Sequence, residues 1–177
     1  MTTQTTETTD KRDGWGEERS KVVNWHDPAP TAAAGLAMSG IDYLRAMTEG
    51  TLPPPPISGL MDFTMVEAEP GRVVFTCRPD ESAYNPIGAI HGGLVCTLLD
   101  SVLGCALHST LPQGKGYTSI EIKVNYLKAV RLSSGLLTAT GTVVKAGSRV
   151  GFTEGVVTDA AGAVVATASS TLLVFDL

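Results

Sequence analysis

The sequence predicts an α+β fold in which a β-sheet curls around one buried helix, and three observations predict it. Residues 60–69 and 72–78 read as two strands about a Pro70-Gly71 turn, the pattern of a hairpin. Residues 92–109 hold the longest apolar run, interrupted by Asp100 and shorter than the roughly 20 residues of a membrane span, which makes it a buried helix. Four more strand-like segments follow, at 117–127, 135–145, 151–158 and 163–175. Strands grouped on both sides of a single helix, with no internal repeat, make an α+β arrangement.

The elements follow from local chemistry. Residues 1–27 are Thr-rich and charged, the composition of a flexible tail, with Trp15 and Trp25 as its only large anchors. Residues 28–57 make a helical extension and a Pro-rich connector. A helix at 30–49 gains a partly apolar face from Leu36, Ile41, Leu44 and Met47, although Gly35 and Gly40 work against it. Gly50 suits its end, and Pro53 to Pro56 forbid continuation and make a stiff connector. Residues 58–177 form the main domain. In its hairpin Val73, Phe75 and Cys77 alternate with Val74 and Thr76. Asn85-Pro86 and Gly88 mark 79–90 as a loop.

Composition removes several classes of function. A chain of 177 residues suits one domain and buries a real core without disulfides. With 13 basic against 18 acidic side chains, a net charge of -5 and no Lys/Arg cluster, it is not expected to bind nucleic acid. No apolar leader opens it and no membrane span is visible, so a cytoplasmic location is expected. Cys77, Cys96 and Cys105 are odd in number and lack the close pairs of a zinc site, so they read as reduced thiols and no metal is expected. Only 18% of residues are charged, which suggests that much of the surface is buried against something else.

The apolar helix carries the candidate chemistry. Gly93, Thr97, Asp100 with Ser101, Gly104 and His108 recur at spacings of three and four, so a small, polar stripe runs down an otherwise greasy helix. Asp100 on that stripe must be paired, hydrogen-bonded or functional; Thr97 and Ser101 are the nearest hydroxyls that could satisfy it. At the helix start Gly92 and Gly93 leave bare N–H groups where the backbone dipole is positive, a place for a phosphate or a developing oxyanion. His91 before them could cap the helix, orient the loop or act as a base. Eight residues separate Gly92 from Asp100, about 12 Å along a helix. One helix cannot bring both to a single reacting carbonyl, whereas two antiparallel copies about a two-fold axis can.

The segment Asn85-Pro86-Ile87-Gly88-Ala89-Ile90-His91-Gly92-Gly93, with Leu98-Leu99-Asp100 after it, resembles the hotdog-fold acyl-CoA thioesterases. More narrowly it is similar to the phenylacetate-degradation (PaaI) type of the 4-hydroxybenzoyl-CoA thioesterase-like group. Residues 117–126 resemble that family's next strand and 159–168 its last hairpin, for a coverage of about 58–175. The resemblance implies an antiparallel sheet wrapped around the helix, a homodimer, and a homotetramer as a dimer of dimers. It implies hydrolysis of an acyl- or aryl-CoA thioester with no cofactor beyond the CoA of the substrate. In those terms Asp100 activates water or attacks directly, and the Gly92 N–H polarises the thioester carbonyl. Asn85 assists in binding it, and His91 sets site geometry. Ser119 positions the water, with Thr118 as its rival under a one-residue slip. Gly93 lies beside the substrate, and Ser148 and Arg149 sit where relatives contact CoA, with Lys128 and Arg131 as further cations. The residues before 58 exceed what a minimal member needs; covering the acyl pocket, adding a helix at a subunit interface and having no role are all open to them. Two other functions share the fold. A hydratase or dehydratase would recruit His91 for acid–base work, and a non-catalytic acyl-CoA-binding module would need no carboxylate at 100.

Overall fold

The computed structural model describes residue 12 and residues 14–177, so 1–11 and 13 of the expected tail lie outside the described residues. Three short helices come first: α1 (Pro28–Gly35), α2 (Gly40–Thr48) and α3 (Pro56–Met61). The hairpin β1 (Phe63–Glu69) and β2 (Arg72–Cys77) precedes the long helix α4 (Gly92–His108). Strands β3 (Lys115–Tyr126), β4 (Leu137–Ala146), β5 (Val150–Thr158) and β6 (Val164–Asp176) complete the chain. The six strands form one antiparallel sheet in the order β1-β2-β4-β5-β6-β3, and α4 touches all of them. This is the α+β, helix-wrapping sheet that the sequence predicts.

The wrapping follows from α4 itself. Leu98, Leu99, Val102, Leu103, Ala106 and Leu107 are all 0% exposed, so more than half the helix circumference is taken out of water. Each of the leucine and valine side chains among them contributes about 1.5–3 kcal/mol when fully buried. The sheet comes close because glycine lies beneath the helix. A Cβ at Gly141 would stand 2.5 Å from the Val102 carbonyl oxygen, and one at Gly151 would meet Leu107 at 2.5 Å.

The N-terminal region differs from expectation in two places. The helix expected at 30–49 is two helices, broken at 36–39. Ser39 is the reason: its Oγ accepts from the Asp42 N–H and starts α2 afresh. Gly40, which weakens a helix as a residue, is what lets α2 dock. Its N–H donates to the Leu111 carbonyl, and a Cβ there would overlap the His108 carbonyl oxygen. Residues 60 and 61, expected to open β1, are instead the last turn of α3. Pro56 is pre-organised for a helix start, and Asp62 ends the turn in the left-handed region at φ 53. The expected anchors, Trp15 and Trp25, are 76% and 63% exposed. What ties residues 14–27 to the domain is a pair of ion pairs, Arg19–Glu81 and Lys21–Asp80. The Lys21 ammonium and the Ser82 hydroxyl pull Asp80 down to about 2.

All three cysteines are free thiols, and burial pushes Cys77 and Cys105 up to about 12. Among the described residues no helix is long and apolar enough to cross a membrane.

The close helix–sheet seat has a direct test. Gly141→Ala should lower the unfolding free energy by about 1–3 kcal/mol, because the new methyl meets backbone rather than a yielding side chain. Urea unfolding of the two proteins measures it, and equal stability would mean that the helix does not sit this close.

Candidate active site

β1 and β3 are the two edges of the sheet, and both reach the stripe of α4 that the sheet leaves uncovered. Asp100 stands on that stripe, exposed. The hydroxyls beside it in sequence do not satisfy it. Ser101 Oγ donates to the Thr97 carbonyl and Thr97 Oγ1 to the Gly93 carbonyl, both within the helix backbone. The partner comes from β3: Ser119 Oγ donates to Asp100 Oδ1 at 2.8 Å. Thr118, its rival, is exposed on the opposite face of the strand. The two alternatives differ by one residue, and the pleat sends them to opposite sides.

Asp100 and Ser119 open into a cavity of about 490 Å³. Its walls are mostly apolar, with Leu44 and Met47 from α2, Phe63 and Met65 from β1, and Phe75 from β2. The far end carries His108, Tyr43 and Tyr117. Burial lowers the His108 imidazole and raises the Tyr117 phenol well above its ordinary value. Burial pushes the Cys105 thiol, which also lines the cavity, up to about 12. At neutral pH the cavity beyond Asp100 therefore holds no ionised group.

The start of α4 faces a different cavity, of about 680 Å³, lined by His91, Gly93, Thr97, Tyr84 and Lys21 among others. His91 caps the helix, its Nδ1 accepting from the Gly93 N–H at 2.8 Å. The Gly92 N–H has no hydrogen-bond partner among the described residues, and the Gly92 carbonyl accepts from the Tyr126 hydroxyl at 2.9 Å. Asn85 spends its Oδ1 on the Ile87 and Ala89 N–H groups of its own loop, which leaves the Nδ2 as its donor. Ser148 and Arg149 lie in the β4–β5 turn, near the other end of α4, where the next residues pack on Leu107. One protomer thus brings Asp100 and Ser119 together and gathers Asn85, His91, Gly92 and Gly93 elsewhere. Ser148 and Arg149 join neither group. Lys128 is engaged by Asp159 at 2.7 Å.

Sequence reasoning missed Tyr126. Counting by twos from Ser119 puts Tyr126 on the wrong face. A bulge between Ser119 and Glu121 shifts the phase, so Ile122 and Val124 pack on the core and Tyr126 reaches Gly92. No residue type announces that bulge. For α2 the apolar spacing of Leu44 and Met47 was the clue, and the structure packs it over the Asp100 cavity, one of the places the sequence left open to it.

Comparison with known proteins bears on this site. The thioesterase superfamily profile matches residues 87–166. A Streptococcus mutans protein solved bound to acetyl CoA is 31% identical, with a TM-score of 0.59 over 64% of this chain and 89% of that one. The chain belongs to the thioesterase superfamily. Human acyl-coenzyme A thioesterase 13 is 33% identical over 91 residues, 51% of this chain and 64% of that protein. The match thus spans less than two thirds of such curated relatives. The architecture is also that of a phenylacetic acid degradation-related protein from Ralstonia eutropha, with a TM-score of 0.68 and 23% identity over 74% of this chain and 98% of that one. The fold is the hotdog fold.

The lowered His108 makes a pH prediction. Unfolded, the imidazole titrates near 6.5, and folded it titrates lower, so the unfolded state binds the proton first. The full contribution is present above about pH 6.5 and is lost as pH falls below that value. The melting temperature should fall on acidification from pH 7 to pH 5, and fall less in His108→Phe; an equal drop in both would exclude a buried neutral imidazole.

Proposed function

We propose that the chain is an acyl-CoA thioesterase, which hydrolyses an acyl- or aryl-CoA thioester to the free acid and CoA. The observation that carries this is the Asp100 carboxylate, held by Ser119 at the mouth of an apolar cavity. The acyl-CoA thioesterase name of the human relative and the acetyl CoA bound to the streptococcal one support it. Asp100 takes a proton from a water whose oxygen attacks the thioester carbonyl. The charge that develops on the carbonyl oxygen meets the Gly92 N–H, with the Asn85 amide donating beside it. Collapse breaks the C–S bond, and the CoA thiolate takes the proton that Asp100 received. A positioned base contributes typically 10²–10⁴ and an oxyanion donor about 10²–10³. A thioester is activated enough that a water, a base and an oxyanion site suffice, with no cofactor beyond the CoA of the substrate.

Gly92 and Asp100 open on different cavities of one protomer, about 12 Å apart along α4. In this reading the working site is composite, with Gly92, His91 and Asn85 from one subunit and Asp100 and Ser119 from its partner, α4 helices antiparallel. β3, a free edge of twelve residues, supplies a pairing surface for a homodimer, and dimers associate as a homotetramer. An antiparallel partner brings the start of its α4 towards the end of this one, where Arg149 is exposed and Ser148 beside it; they receive the CoA phosphates. The protein acts in the cytoplasm, without nucleic acid or membrane.

Asp100→Asn should lower kcat on acyl-CoA substrates by about 10²–10⁴, read as thiol release, while CoA esters still bind. A wild type that binds them and releases no thiol would sink the hydrolase reading. The composite site has its own check. Gly92→Pro deletes the N–H at a first helical position that suits proline, and His91 before it is already extended at φ -61, ψ 133. Mixed dimers of Gly92→Pro and Asp100→Asn subunits should regain activity that neither parent has.

A further inference from the structure

Most of the lining of the cavity around Asp100 comes from residues before position 87, where the superfamily match begins. α2 contributes Tyr43, Leu44 and Met47; Pro54, Pro55 and Ile57 follow from the Pro run and α3. We propose that residues 40–58 are the wall of the acyl site, and that Tyr43, its ring packed at a tilt against His108, closes its end and sets the longest acyl group admitted. This rests on the thioesterase reading for the identity of the group bound.

The geometry has a mouth and an end. Asp100 and His108 lie on the same stripe eight residues apart, about 12 Å along the helix. The His108 ring stands between two phenols, with centroids 5.7 Å from Tyr43 and 5.3 Å from Tyr117. Tyr117 is itself wedged against Gly104, where a Cβ would fall 2.6 Å from its ring. The end is thus a packed aromatic stack and not a gap.

The wall is fixed as firmly as the floor. Gly40 seats α2 on the His108 carbonyl and bonds to Leu111. The Thr51 and Leu52 N–H groups both donate to the Ala46 carbonyl, which turns the chain directly into the Pro run. Prolines at 53–55 hold that run extended with little entropy left to lose on binding.

The lining also selects chemistry. Apart from Asp100 at the mouth, no residue of the lining carries Lys, Arg, Asp or Glu, and the stack at the end is neutral at neutral pH. A distal carboxylate would be desolvated with no cation to receive it. The polyanionic CoA moiety is excluded for the same reason. The occupant is therefore the acyl group, uncharged at its distal end and about as long as the span from Asp100 to His108.

Calorimetric titration of the full chain with a series of S-alkyl-CoA thioethers, which cannot be hydrolysed, tests this. Affinity should rise about fourfold per methylene until the chain reaches the stack, then fall. Tyr43→Ala should move the break to longer chains and Met47→Phe to shorter ones; the two substitutions change volume in opposite senses, so a general loss of folding cannot imitate both shifts. A break at the same length in all three proteins overturns the proposal, as does affinity indifferent to length, or no binding by the wild type. Failure of the thioesterase reading looks different: the length break is present, but the acyl-CoA of matching length releases no thiol.

Discussion

Everything in this molecule depends on how closely α4 is seated on the sheet. The helix is apolar around most of its circumference, and glycine at 141 and 151 lets two strands approach it to backbone or methyl distance. A six-stranded sheet curled around such a helix hides the greasy faces but cannot close on itself, because β1 and β3 do not pair. The gap between those edges leaves one stripe of α4 uncovered. Asp100, Ser101, Cys105 and His108 all lie along it. The candidate chemistry sits on the face that the core does not need.

Two segments then divide that stripe. α2 and the Pro run cover the half towards His108 and make a mostly apolar cavity with Asp100 at its mouth. The half towards Gly92 carries the free N–H and the capping His91, and opens on the cavity that Lys21 and Tyr84 also line. Helix rise alone keeps these two ends about 12 Å apart within one chain. That fixed length, more than any single contact, is why the proposed reaction calls for a second subunit.

Much of the site was legible residue by residue. Asp100 stood out because a carboxylate inside an apolar run needs a reason, and Gly92-Gly93 because a helix start without side chains leaves its amides bare. The partner of Asp100 was not legible from its neighbours, since Thr97 and Ser101 satisfy the helix backbone instead. Ser119 could be named only alongside Thr118, because strand alternation fixes which two faces exist and not which of them meets α4. Tyr126 escaped entirely: the bulge after Ser119 reverses the alternation that would have located it.

The sequence by itself determined the α+β class, the long helix with its stripe, and the six strands, because periodicity and turn residues act locally. It also determined the separation of Gly92 from Asp100, because helix geometry is invariant. Only the tertiary structure decided that 30–49 breaks at Ser39, that Gly40 is a docking point, and that the N-terminal helices wall the Asp100 cavity rather than trail from the domain. These are outcomes of competition between distant surfaces. Which apolar face covers which gap depends on the shapes left over when the sheet has wrapped the helix, and no window of sequence contains both partners.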